Sequence, residues 1–234
     1  MTETIDHRYR GQTFSHELFH DDSGIARSGV ILFPTVMGVT DLERGFAERL
    51  TRAGFSILIA DLYGRRFAPS ERDEAMAAMN ALRGDRAALR DRLLAVLGEA
   101  QALDEIAEAR IAAIGFCFGG QCALDLARAG ADIAGVASFH GLFDPPGLLP
   151  LAITAKVAAY HGWDDPLVAP AAVVALAAEL TAAGCDWQIH AFGHVGHGFT
   201  NPGATGAMPG IKYDERTARR AWAACDAFLA ECIA

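Results

Sequence analysis

The sequence predicts an α/β fold, a mainly parallel sheet with helices on both faces, and three observations carry that expectation. Short apolar runs of buried-strand length recur along the chain, at 29–33, 55–60, 111–114, 133–139, 156–161 and 187–192. Segments with apolar residues at helical spacing separate most of them, and strands alternating with helices imply parallel crossovers. The run at 111–114 passes into a helical pattern (Cys122, Ala123, Leu126, Ala127) through a turn flanked by Gly115, Gly119 and Gly120. Strand and helix therefore meet at a sharp bend with Cys117 at its tip.

Composition fits a single domain over 1–234. No linker divides the 234 residues, 52% of them are hydrophobic, and the 21% that are charged exclude general disorder. Residues 1–11 are polar and are expected to be loosely ordered. They lack the apolar core of a signal peptide, which points to a cytoplasmic protein. The net charge of −9, with no basic cluster beyond pairs such as Arg65-Arg66 and Arg219-Arg220, argues against nucleic acid and acidic membranes as partners and leaves a small molecule. No uncharged apolar run approaches the roughly 18 residues that span a bilayer. The five cysteines form no Cys-x-x-Cys pair, as in a reducing compartment, and four of them read as small buried hydrophobes. No cofactor is expected, and the chain is read as a monomer or homodimer.

Along the chain, residues 13–20 alternate weakly (Phe14, Leu18, Phe19) and read as an edge strand or hairpin. The run 29–33 is wholly apolar and is ended by Pro34, which cannot donate to a ladder. A loop leads to a helix capped by Thr40 or Asp41, whose Leu42, Phe46, Ala47 and Leu50 share one face before Gly54. The strand at 55–60 runs into Asp-Leu-Tyr-Gly-Arg-Arg at 61–66, followed by helices over 70–82 and 85–97, split at Gly84. After the bend at Cys117 come strands at 133–139 and 156–161, a helix over 170–183 and the strand at 187–192. A closing helix over 214–230 turns Ala218, Trp222, Cys225 and Leu229 inward.

In such a sheet, ligands sit beyond the carboxyl ends of the strands, where the loops converge. Three of those loops carry a nucleophile, an acid and a histidine in the order Cys117, Asp165, His197, the order found in α/β-hydrolases. A thiol attacks as thiolate, and its reference pKa of about 8.5 falls at a helix N-terminus or beside an imidazolium; Cys117 is expected to have both. His197 would take the proton and return it, while a carboxylate holds the ring in one tautomer. Asp165 is preferred to Asp164 because Gly-x-x-Asp-Pro-Leu-Val at 162–168 is the form usual in hydrolase acid loops; Asp144 is a distant third, and His194 competes with His197. The backbone N–H groups of Phe118 and Val36 are assigned to the oxyanion hole, where losing one donor typically costs about 3 kcal/mol. His194 and His197 have the spacing of metal ligands, but Gly196 and Gly198 break any helix there and no acidic partner follows, so no metal is expected. A dinucleotide fingerprint would need glycine at 117 itself.

These segments resemble the dienelactone hydrolase family, over nearly the whole chain from about Gly29. The resemblance is carried by Asp-Leu-Tyr-Gly-Arg at 61–65, Ile-Gly-Phe-Cys-Phe-Gly-Gly at 114–120, His-Gly-Trp-Asp-Asp-Pro at 161–166, and His-Gly-Phe-Thr-Asn-Pro at 197–202 with Tyr213 beyond it. It implies the α/β-hydrolase fold, the opening of lactones or small esters through a thioester, and a triad on Cys117, Asp165 and His197. It also implies a glutamate just after the third strand, where this chain has Thr35, and arginines that hold a substrate carboxylate. The segment just after His197, Gly-Phe-Thr-Asn-Pro at 198–202, offers none, so Arg65 and Arg66 stand either as substitutes or as solvated surface charges, and Thr35, Arg65 and Arg66 are the substrate-binding candidates. Two readings compete with a hydrolase. One is a thiol-based redox protein using Cys117, which lacks a well-placed resolving cysteine because Cys122 lies five positions on in a helix. The other is a non-catalytic small-molecule-binding member of the same fold.

Overall fold

The computed structural model of the chain describes residues 1–106 and 111–233. Two strands, β1 (Thr2–Tyr9) and β2 (Gln12–Phe19), form an antiparallel hairpin. Six more follow: β3 (Gly29–Phe33), β4 (Ser56–Ile59), β5 (Ile111–Phe116), β6 (Gly135–Phe139), β7 (Lys156–Gly162) and β8 (Trp187–Phe192). These six are parallel to one another, and all eight make one sheet in the order β1-β2-β4-β3-β5-β6-β7-β8. The helices are α1 (Asp41–Arg52), α2 (Arg72–Gly84), α3 (Arg86–Gln101), α4 (Phe118–Arg128), α5 (Pro170–Ala183) and α6 (Glu215–Ile233). No helix among the described residues is long and apolar enough to cross a membrane.

The N-terminal segment departs from expectation. Instead of being loosely ordered, residues 2–9 pair along the whole of β2, from Thr2 opposite Phe19 to Tyr9 opposite Gln12. Arg10 and Gly11 make the turn, both at positive φ (49° and 82°), the geometry that two-residue hairpins prefer. As an edge strand with mostly exposed side chains, β1 has only a weak alternation to read, in which Ile5, His7 and Tyr9 are half-buried between exposed residues.

The central strands β3 to β6 are buried from end to end, so their alternating side chains feed two cores. Phe33, Leu58, Ala113 and Val136 pack toward α2, α3, α4 and α5; Leu32, Ile59, Ile114 and Ala137 pack toward α1 and α6. The chain leaves β3 for β4 on one side and returns to β5 on the other. Loops diverge at such a reversal and open a crevice at the strands' carboxyl ends. The segments after Phe33 and Phe116 both emerge there.

Candidate active site

Between the end of β5 at Phe116 and the start of α4 at Phe118, Cys117 alone makes the turn. Its φ of 57° and ψ of −116° form a conformation that residues with a Cβ rarely adopt. Three hydrogen bonds hold it: Cys117 N–H donates to the Phe139 carbonyl at 3.0 Å, and the Cys117 carbonyl accepts from Gly120 at 3.0 Å and Gln121 at 3.3 Å. The flanking glycines are needed because the backbones nearly touch. A Cβ on Gly115 would lie 1.9 Å from the Gly119 carbonyl oxygen, and one on Gly119 would lie 2.0 Å from that of Phe33. The half-buried thiol thus stands at the N-terminus of an 11-residue helix, where the backbone dipole favours an anion.

His197 is held by its backbone, its N–H donating to Gly210 at 2.8 Å and its carbonyl accepting from Lys212 at 3.1 Å. The ring Nδ1 lies 2.7 Å from Asp165 Oδ2, with both side chains almost completely buried. The other oxygen of Asp165, Oδ1, accepts the Leu167 N–H at 2.8 Å, so one edge of the carboxylate is fixed by backbone while the other meets the ring. Burial alone would push the His197 pKa down. The hydrogen bond to Asp165 and the adjacent Cys117 sulfur outweigh it and raise the pKa from 6.5 to about 10. Nε2 is buried and makes no hydrogen bond of ordinary geometry among the described residues, although the Cys117 sulfur is near enough to act on the ring's charge. Such bonds commonly tighten only when substrate binds.

The competing residues lie elsewhere. His194 is fully solvent-exposed and faces Asp164 at 3.8 Å. Asp144 is engaged by Arg83 at 3.0 Å, Arg86 at 2.7 Å and Gln121 Nε2 at 2.9 Å. One neighbour escapes sequence reasoning altogether: His140, buried and at a φ of 37°, meets the His197 ring edge-to-face at 5.0 Å. Its Nε2 contacts Thr200 Oγ1 at 2.8 Å, and burial holds its pKa well below the usual value, so it adds no second positive charge beside His197.

The N–H groups of Phe118 and Val36 donate to no other group among the described residues. Val36 sits in a turn closed by a 3.0 Å hydrogen bond from Gly38 N–H to the Thr35 carbonyl, and Tyr63 donates its hydroxyl to the Val36 carbonyl at 3.1 Å. Glu43, fully buried, accepts from Thr35 N–H at 3.0 Å, the Thr35 hydroxyl at 2.9 Å, Thr40 N–H at 3.0 Å and the Thr40 hydroxyl. The spacing Thr40-x-x-Glu43, a capping-box signature, is the sequence signal that finds it.

The three substrate-binding candidates all have partners within the protein. The Thr35 proton is already given to Glu43. Arg65 pairs with Glu71 at 2.8 Å and lies over the Phe67 ring at 4.5 Å; Arg66 pairs with Asp61 at 3.2 Å and Glu17 at 3.4 Å, and donates to the Ser15 carbonyl at 2.6 Å. Each arginine is thus paired with a carboxylate of the protein while remaining partly exposed.

Comparison with known proteins adds to this geometry. Residues 18–233 match the model of the dienelactone hydrolase family. An uncharacterized protein of Caenorhabditis elegans is 35% identical over 150 residues, which are 62% of this chain and 95% of the worm protein. The solved structure of m3DLH aligns with a TM-score of 0.91 at 35% identity, over 100% of this chain and 99% of its own. A dienelactone hydrolase-like promiscuous phosphotriesterase from metagenomic libraries aligns at 0.89 and 33% identity, over 100% and 99% of the two chains. A putative dienelactone hydrolase of Klebsiella pneumoniae, 17% identical with a TM-score of 0.74 over 98% of both chains, shares the fold.

Proposed function

The chain belongs to the dienelactone hydrolase family and is a hydrolase, and from that premise we propose that it cleaves small carboxylic esters or lactones with Cys117 as nucleophile. His197 is the acid and base in this reading, and Asp165 orients it. The observation that carries it is the 2.7 Å contact between His197 Nδ1 and Asp165, on a buried ring whose Nε2 is left unpartnered near a thiol on a strained turn.

The chemistry runs in two halves. The Cys117 thiolate adds to the carbonyl carbon, and the carbonyl π electrons move onto oxygen, where the Phe118 and Val36 N–H groups face them. Collapse expels the alkoxide, which takes the proton from His197 Nε2 and leaves a thioester. In a lactone the alkoxide stays tethered. Water then gives a proton to the now neutral His197 and attacks the thioester, and loss of the thiolate releases the acid. With the sulfur acylated, one of the influences that raise the His197 pKa is gone, which favours the neutral base this second half requires.

Cys117→Ala is expected to abolish turnover of an activated aryl ester while the circular dichroism spectrum and melting temperature stay at wild-type values. Undiminished turnover in that variant refutes the reading. A panel of aryl esters, lactones and phosphotriesters defines the substrate class. The phosphotriester arm is included because a relative 33% identical to this chain is described as a promiscuous phosphotriesterase. A redox role is disfavoured by Cys122, which is fully buried and whose thiol burial pushes well above its ordinary pKa.

A further inference from the structure

Glu43 is more heavily bonded than a helix cap requires. A buried carboxylate is costly unless its oxygens are satisfied, and the four donors that satisfy this one come from two places. The N–H and hydroxyl of Thr40 complete an ordinary capping box at the start of α1. The N–H and hydroxyl of Thr35 contribute nothing to that helix. They belong to the β3 end of the seven-residue loop 34–40 that carries Val36, so one carboxylate holds both ends of it.

Within the loop the remaining constraints fix a direction. The Thr35 carbonyl is occupied by Gly38 N–H, and across a trans peptide the Val36 N–H must point the opposite way. The next carbonyl, that of Val36, is occupied by the Tyr63 hydroxyl at 3.1 Å. Burial raises the Tyr63 pKa, so the phenol remains a donor. Gly38, at a φ of 73°, closes the turn, and a Cβ there would lie 3.3 Å from the Tyr63 ring. The Val36 N–H is left without a partner among the described residues, in the loop at the carboxyl end of β3 where the chain's course across the sheet reverses.

We propose that Glu43 is the positioning residue of the oxyanion hole: by clamping Thr35 and Thr40 it aims the Val36 N–H at the developing oxyanion without touching substrate. The proposal rests on the ester-hydrolase reading above. A carboxylate that only caps α1 would affect stability and leave the chemical step alone.

Glu43→Gln keeps the shape but replaces one acceptor with an amide N–H facing a donor, and Glu43→Ala removes the clamp. For an aryl ester, both are expected to lower kcat about 10- to 100-fold with KM changed less than about 3-fold, the signature of an interaction made in the transition state. Alkylation of Cys117 by iodoacetamide forms no oxyanion and is expected to stay within about 2-fold of wild type, because it reads thiolate reactivity alone. Wild-type kcat in Glu43→Ala overturns the proposal. So does alkylation that slows in step with turnover, since the carboxylate would then act on the sulfur or on the fold as a whole. If Glu43→Ala does not fold, Glu43→Gln and Thr35→Val, which deletes only the loop-side hydroxyl, are judged by the same two rates. A wild-type protein that is alkylated at Cys117 but turns over no ester fails at the hydrolase reading instead, and the Glu43 proposal falls with it.

Discussion

Asp164 and Asp165 are adjacent carboxylates with opposite environments. Asp165 is buried, with one oxygen on the Leu167 N–H and the other on His197, while Asp164 is exposed and faces a fully exposed histidine. In Asp165→Asn the amide can donate to Nδ1, which places the ring proton on Nε2, the wrong end for accepting a proton from a thiol or water. Turnover is expected to fall about 10³- to 10⁴-fold on the precedent of serine hydrolases, whereas Asp164→Asn stays within about 3-fold. The pH profile supplies a second readout. In the proposed mechanism the imidazolium that protonates the leaving group is lost as pH rises through the raised His197 pKa, so the alkaline limb of acylation is expected near 10 in the wild type. Removing the Asp165 hydrogen bond lowers that pKa, and the limb moves to lower pH. Sequence reading preferred Asp165 because Gly-x-x-Asp-Pro-Leu-Val is the form usual in hydrolase acid loops, and it is the Asp165 carboxylate that lies 2.7 Å from the His197 ring. It could not reach His140, whose left-handed backbone and contact with His197 arise from tertiary packing and leave no local trace.

At the scale of elements, the bend at Cys117 depends on how closely α4 approaches β3 and β5. A methyl group on Gly119 would meet the Phe33 carbonyl oxygen at 2.0 Å, a backbone atom with nowhere to go. Gly119→Ala is therefore expected to cost about 3 kcal/mol or more, a fall in melting temperature on the order of 10 °C for a chain of this length, and to lose ester turnover even below that temperature. A thermal melt and an activity assay check the two effects separately. Most elements were legible for physical reasons: a parallel strand buried on both faces, such as Gly29–Phe33, has to be apolar throughout, and Trp187–Phe192 and Pro170–Ala183 fall on the residues read from periodicity. β1 was not, because an exposed edge strand is selected for polarity. The reach of Glu43 was half legible. Its capping spacing is plain in the sequence, but the second hydrogen-bonded partner, Thr35, precedes the helix by a full turn of chain that only the fold brings back.

At the scale of the whole molecule, pH acts on the join between the hairpin and the parallel sheet. His16 on β2 is fully buried, accepts the Asp61 N–H on Nδ1 at 3.0 Å, and is held by burial at a pKa of about 4. Protonation would put a charge in the core and place a second hydrogen against that N–H. Because the folded pKa lies below the unfolded value of 6.5, this contribution to stability is fully present above pH 6.5 and is lost progressively as pH falls toward about 4. It amounts to something on the order of 3 kcal/mol. Chemical denaturation between pH 4 and 7 is expected to show the wild type losing that much more stability than His16→Gln; equal slopes would remove His16 as the cause.

Phe116 and Phe118 flank Cys117 and are anchored in different layers. The first stacks on Phe46 at 4.3 Å and Phe139 at 4.8 Å on the α1 and α6 side, and the second belongs to the core under α2 to α5. Neither layer alone can set the angle at which Cys117 leaves the sheet. The direction in which the thiol leaves the sheet is therefore set jointly by the two layers, and a packing defect in either one is expected to be felt at Cys117.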